Sequence, residues 1–117
     1  MNIIFGDAIN AVSSAHTVLE LDTFKIMPSG QLVKTYCVIN NIPLAEFSQL
    51  ENNMHIHQQL IEQYRQQNWT YCQSAVHSLM GCWNGEMDTF YQHLADRIDE
   101  HVANPLDKNW DYTITRN

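Results

Sequence analysis

The sequence predicts a small α+β fold: a small antiparallel β-hairpin sheet with a short N-terminal helix, followed by three helices. Three observations carry this. Thr17–Met27 and Leu32–Ile39 are two runs rich in Val, Leu, Ile, Thr and aromatic residues, separated by Pro28-Ser29-Gly30. From Glu51 to Val102 the apolar residues recur every three or four positions instead. The 117 residues suffice for one modest core, and 44% hydrophobic against 16% charged content argues against disorder.

The elements follow in order. Ile3-Ile4-Phe5, closed by Gly6, reads as a short buried strand. Asp7 is placed to cap a short helix through roughly Ser13. In the hairpin, Pro28 presets φ and Gly30 supplies the left-handed position of the turn. Both faces of the hairpin are apolar. Val33, Cys37 and Ile39 point one way; Leu32, Tyr36 and Val38 point the other. Leu19 and Leu21 share one parity and Phe24 and Ile26 the other, a switch that a β-bulge explains. Asn40-Asn41-Ile42-Pro43 breaks the pattern, and Pro43–Leu50 fits either a helix or an ordered loop. The first long helix presents Met54, His57, Ile61 and Tyr64 on one face. Gln66-Gln67-Asn68 is a tight turn with Asn68 as the next cap. The second helix carries Trp69, Cys72, Ala75 or Val76, and Leu79, and ends near Gly81. A turn at Trp83-Asn84-Gly85 leads to the clearest helix, striped by Met87, Phe90, Tyr91, Leu94, Ile98 and Val102 and stopped by Asn104-Pro105. The short link predicts that the first two long helices are antiparallel neighbours, with the small Cys72 at their crossing. The tail after Pro105 lacks periodicity, but Trp110, Tyr112 and Ile114 offer docking side chains. No internal repeat or linker appears, so residues 1–117 read as one domain: a β-rich stretch over residues 1–40, a helical stretch over 41–104 and a docking tail over 105–117.

Charge and composition bound the function. Thirteen Asp and Glu against six Lys and Arg give a formal charge of −7, and the cations are scattered. Such a chain is a poor phosphate-backbone binder, so no nucleic-acid partner is expected. Three cysteines without a CxxC pair read as buried reduced thiols, and no leader or membrane-length apolar run is seen. A cytoplasmic protein without membrane association is expected.

No side-chain constellation stands out as chemistry. His55 and His57, two apart on a helix, diverge by about 200° and cannot share one metal. His77 and His93 lie on different helices without HExxH or CxxC spacing. Ser13-Ser14 with His16, or Ser74 near His77, lack a nucleophile elbow. Asp96, Asp99 and Glu100 beside Arg97 read as a solvated helix face. The four glycines stand singly, so no phosphate loop exists. Trp69, Trp83 and Trp110 read as large core and docking anchors, with pocket lining as the alternative. No catalytic residue, metal ligand or cofactor site is assigned. The structural or interaction candidates are Tyr36, Tyr64, Trp69, Cys72, Val76, Trp83 and Trp110.

One resemblance spans nearly the whole chain. In order come Ile3-Ile4-Phe5-Gly6-Asp7-Ala8-Ile9, then Leu19-Glu20-Leu21-Asp22-Thr23-Phe24-Lys25-Ile26, then Val33–Val38. Tyr64-Arg65-Gln66-Gln67-Asn68-Trp69 follows with Cys72, Val76 and Leu79, then Asn84-Gly85-Glu86, Asn104-Pro105 and Trp110-Asp111. This order resembles the C-terminal, non-catalytic end of class III adenylate/guanylate cyclases, including the helical extension of many bacterial members. The pair of helices around Tyr64–Leu79 also resembles one tetratricopeptide unit. A stand-alone chain of this kind resembles proteins of marine bacteriophages, a likeness that carries no activity. The resemblance implies a frame without chemistry. The family's metal-binding aspartates and its Asn/Arg helix lie upstream of this region, and its phosphate-touching Lys-Gly aligns with Met27-Pro28. The expected function is a non-catalytic interaction or regulatory module, as a homodimer built partly through the sheet and with an unidentified protein partner. A small-molecule binding protein, of a nucleotide for instance, is the second reading, and an enzyme with an unrecognised site the third. A closed pocket lined by Trp and Tyr with converging polar groups favours the second.

Overall fold

A computed structural model describes residues 2–11, 17–39, 42–107 and 109–116. The chain is α+β, with four strands and three α-helices among the described residues. Strand β1 (Asn2–Phe5) runs into a 3-10 helix at Gly6–Ala11, followed by β2 (Thr17–Ile26) and β3 (Gln31–Ile39). A second 3-10 helix, Leu44–Gln49, leads directly into α1 (Leu50–Arg65), then α2 (Trp69–Leu79). After a 3-10 turn at Trp83–Gly85 come α3 (Asp88–Ala103) and β4 (Ile114–Arg116). The residues group into two compact units: a sheet unit within 1–40 and 111–117, and a helical unit, 41–110. Among the described residues no helix is long and apolar enough to cross a membrane.

The sheet unit has strand order β1-β3-β2-β4. Its centre is the expected antiparallel hairpin, turned at Met27–Gly30 with Gly30 at φ 77°. The Gly30 N–H donates to the Ile26 carbonyl at 2.8 Å. The parity switch in β2 has the expected cause. Glu20 pairs with Tyr36 but Thr23 with Lys34, so Leu21 and Asp22 together oppose Thr35. The hydroxyl of Thr35, itself buried, donates to the Asp22 carbonyl at 2.8 Å and satisfies a group at the bulge.

One expectation for this unit is corrected, and the tail acquires a strand that its sequence did not announce. Ile3-Ile4-Phe5 is a strand but not a buried one: among the described residues β1 pairs with β3 alone, at the sheet edge, and Ile3 is 47% and Phe5 60% exposed. The tail is not wholly irregular. Ile114–Arg116 joins β2 as a parallel edge strand, pairing Ile114 with Phe24 and Arg116 with Ile26. The Met27 N–H extends this ladder to the Arg116 carbonyl at 2.8 Å, and the Arg116 guanidinium lies 5.5 Å from the Phe24 ring centre. Leu32, on the return strand, is 53% exposed.

In the helical unit each helix buries the stripe its spacing predicts: His57, Leu60, Ile61 and Tyr64 on α1; Cys72, Ala75, Val76 and Leu79 on α2; Phe90, Tyr91, Leu94 and Ile98 on α3. The stripes end earlier than expected. Met54 is 36% and Val102 52% exposed, because each sits at the outer end of its helix, beyond the last packed turn. The segment Pro43–Leu50 resolves as the 3-10 helix, and it leaves Leu44 and Phe47 exposed. Tyr64 meets Trp69 and, a turn further along each helix, the Cys72 thiol reaches the Leu60 carbonyl at 3.8 Å. Contacts that recede in opposite directions mark α1 and α2 as antiparallel neighbours, with Cys72 fully buried at their contact. Asn68 caps α2, its side chain accepting from the Tyr71 N–H at 3.5 Å. Trp83, Asn84 and Gly85 all have positive φ, and the Trp83 and Asn84 N–H groups donate to the Glu46 carboxylate at 2.9 and 3.3 Å. This backbone concavity of the anion-binding type is filled by the chain's own side chain.

Asp111, which leads into β4, offers a pH test of how that strand is held. Asp111 accepts from the Lys25 ammonium and from the Thr113 hydroxyl and N–H, and these bonds hold its carboxyl down at about 2, from an ordinary 3.8. A carboxyl depressed by folding contributes stability above its unfolded pKa and loses it as pH falls through the folded one. The protection factors of the Ile114–Arg116 amides, exchange corrected for its intrinsic pH dependence, are therefore expected to be high at neutral pH and to fall between about pH 4 and 2. Asp111→Asn should remove that acid step. An unchanged exchange profile in the variant would show that this pair does not hold the strand.

Candidate functional site

The bulge has a second effect. Before it, the odd-numbered Leu19 and Leu21 share the face of Cys37 and Thr35; after it, odd-numbered Thr23 shares the face of Lys34 and Tyr36. On that second face lies a cavity of about 350 Å³. Thr23, Leu32, Lys34 and Tyr36 come from the hairpin, Gly6, Asp7, Ile9 and Asn10 from the first 3-10 helix, and Tyr112 from the turn before β4. Gly6 sits at φ 55°, where the chain leaves β1, and the space around it is open, so the backbone conformation is what requires glycine. Tyr112 also has positive φ, 60°, a conformation that side chains rarely adopt outside constrained sites.

The lining mixes apolar walls with separate polar groups. Ile9, Leu32 and the two tyrosine rings give the apolar surface. Asp7 supplies a carboxylate, Asn10 an amide, and Lys34 an ammonium that lies 3.9 Å from Glu20, too far for a hydrogen bond. Thr23 is 3% exposed, and its hydroxyl has no hydrogen-bond partner among the described residues. A buried hydroxyl left so costs about 1–3 kcal/mol, a cost that a donor or acceptor arriving from outside would relieve.

The residues nominated from sequence fall into three places. Tyr36 lines the cavity. Tyr64, Trp69 and Trp110 meet each other and His101 in a four-ring cluster, with all six pairs of ring centres between 5.2 and 6.1 Å apart. The Arg97 guanidinium lies 5.7 Å from the Tyr64 ring centre. Rings in mutual contact leave no slot between them, so this cluster anchors the segment after α3 and is not a pocket. Cys72, Val76 and Trp83 are buried in the helical unit as packing residues.

The groups weighed for chemistry disperse. His57 is buried, its Nδ1 2.9 Å from the Tyr91 hydroxyl, to which Trp83 Nε1 also donates at 2.9 Å. Burial pushes the Cys72 thiol up to about 11 and raises that of Cys82, where Glu46 and Asp88 add to it, so both stay protonated at neutral pH. Burial, then Arg97, lowers the pKa of His101, which favours the neutral ring inside its cluster. Ser74, His77, Asp96, Asp99 and Glu100 are exposed. Ser13, Ser14 and His16 lie outside the described residues. Among the described residues no three His, Cys, Asp or Glu side chains come together to hold a metal ion.

Sequence reasoning missed Asp7, Asn10, Thr23, Lys34 and Tyr112 as a group. One signal existed: Lys34 is a charged residue in the middle of an otherwise apolar return strand. Its partners come from three separate stretches of chain, which periodicity cannot join.

The buried Trp83–Tyr91–His57 contact gives a stability test. Tyr91→Phe keeps the ring but takes the acceptor from Trp83 Nε1, which is 1% exposed on the whole residue. The loss is expected to be about 1–3 kcal/mol, read as a lower denaturant midpoint at unchanged m. A midpoint equal to the native protein's would mean that water or another group replaces the hydroxyl. No protein-family model, curated protein or solved structure matches this chain.

Proposed function

We propose that this chain is a non-catalytic binding protein whose ligand is a small polar molecule held in the cavity of the sheet unit. One observation carries the reading. A concave site of about 350 Å³ gathers two tyrosines, two aliphatic walls, an acid, a base, an amide and an orphaned hydroxyl. That is the make-up of small-ligand sites, whose volumes run from about 300 to 1,000 Å³. The site has no tryptophan and is an open cleft, with Asp7, Asn10, Leu32 and Lys34 exposed, but it has the tyrosines and polar groups that the sequence reading asked for. This moves ligand binding ahead of a pure interaction module. The resemblance to a cyclase end supports the non-catalytic character. Tyr64, Trp69 and Trp110, which carry much of that resemblance, pack as rings with His101 in the helical unit. Three free thiols accord with action in the cytoplasm.

A cavity ligand that binds the folded chain stabilises it by about 2.7 kcal/mol at a hundred times its dissociation constant. A thermal-shift screen with amino acids, nucleosides, nucleotides, sugars and carboxylic acids should therefore find a class that raises Tm. Asn10→Trp, at an exposed position on the cavity wall, should fill the space and abolish the shift while leaving the fold intact. No shift with any class, or a shift that survives in the variant, would overturn the reading.

A second reading is the interaction module, as a homodimer joined along β1. It is favoured by Ile3 and Phe5, which alternate along this edge strand and stay exposed. Two copies of β1 can pair antiparallel about a two-fold axis and cover both side chains with one surface. Light scattering at micromolar concentration should give a dimer for the native chain and a monomer for Phe5→Lys. A strictly monomeric native protein would rule this out.

A further inference from the structure

We propose that the ligand of the sheet-unit cavity is a zwitterion of amino-acid size, its ammonium taken by Asp7 and its carboxylate by Lys34. This rests on the reading of the cavity as a binding site and names the ligand class.

Charge leads to it. Asp7 and Lys34 are opposite in sign and line the same space. Glu20 stands 3.9 Å from the Lys34 ammonium, a long pair that tempers the cation without using up its donors. With Glu20 counted, the two carboxylates and one ammonium carry a local charge of about −1 at neutral pH. A phosphorylated ligand would bring further negative charge to a site with one cation, against the Coulomb term. A ligand with only a carboxylate would leave Asp7 facing it, and one with only an amine would meet Lys34. A molecule carrying both charges satisfies both residues and adds no net charge.

The remaining groups match the same molecule. Tyr36 and Tyr112 line the cavity, and aromatic rings there suit an ammonium or an aliphatic side chain. Ile9 and Leu32 give an apolar wall for such a side chain to lie against. Thr23 is buried at 3% exposure, and among the described residues nothing completes the hydrogen bonding of its hydroxyl. A hydroxyl donates to a carboxylate oxygen and accepts from an ammonium, so either end of a zwitterion completes it.

The test uses the full chain and matched probes. Backbone and tyrosine-ring NMR signals are followed during titration with L-leucine, N-acetyl-L-leucine, which lacks the ammonium, and L-leucinamide, which lacks the carboxylate. Adenosine and adenosine 5′-monophosphate are the probes without this charge pattern. L-Leucine should shift Tyr36 and Tyr112 saturably, and each one-charge analogue should bind at least about tenfold more weakly, a loss of ~1.4 kcal/mol. Lys34→Met should erase the difference between leucine and leucinamide, and Asp7→Asn that between leucine and its N-acetyl form, with the dispersed native spectrum retained in both. Saturable shifts at these tyrosines with adenosine or its monophosphate alone would overturn the zwitterion and leave the binding site standing. Equal binding of leucine and its one-charge analogues would overturn the charge assignment. No shift with any probe would overturn this ligand class, while the broader screen decides on the site itself.

Discussion

Everything in the sheet unit depends on the bulge at Leu21-Asp22. An unbulged strand would keep one parity throughout, and one face would carry every odd residue of β2. The extra residue lets Leu19 and Leu21 be buried beside Cys37 while Thr23 turns to the side of Lys34 and Tyr36. The Thr35 hydroxyl makes this tolerable by donating to the Asp22 carbonyl, a group set at the disrupted ladder. Bulges are enriched where a strand must re-aim a side chain, and here the re-aimed side chain becomes a piece of the cavity wall.

The helical unit joins the polar atoms of its largest buried ring side chains to one another. Trp83, Tyr91 and His57 are almost wholly buried and joined by hydrogen bonds, so their polar edges are matched inside an otherwise apolar core. Glu46 does the same for the strained turn, where positive-φ residues aim N–H groups at one carboxylate. Not every buried polar atom is matched in this way: Glu86 Oε2 in the helical unit and the Thr23 hydroxyl in the sheet unit lack a partner among the described residues. The ring groups of this core are given partners, whereas the hydroxyl in the cavity wall has none among the described residues.

Most of the fold was legible in the sequence because its elements are local. The 3.6-residue stripes of α1, α2 and α3, the Asn68 cap and the Gly30 turn are each written within a dozen or so residues. Even the bulge was readable, as the change of phase between Leu21 and Phe24. The misses are the non-local features. Whether Ile3 and Phe5 are covered depends on what pairs beyond β1, and hydrophobicity alone does not say. Strand β4 is only three residues long, though Thr113-Ile114-Thr115 has the β-branched character that could have suggested it. The cavity needed Asp7, Lys34 and Tyr112 at once, residues whose nearness is a product of strand pairing and not of spacing.

The parallel pairing of β2 with β4 has a consequence for how the molecule is made. Lys25 and Asp111 are 86 positions apart, whereas residues 41–110 form their unit from one uninterrupted stretch. Emerging from the ribosome, the chain can complete its helices while the hairpin still waits for its last strand, since domains fold as their residues become available. Closing the sheet unit spans the largest loop, where the entropy cost of bringing distant segments together is greatest. Tyr112 joins the cavity wall only through that closure, so the site depends on the longest-range pairing in the sheet unit.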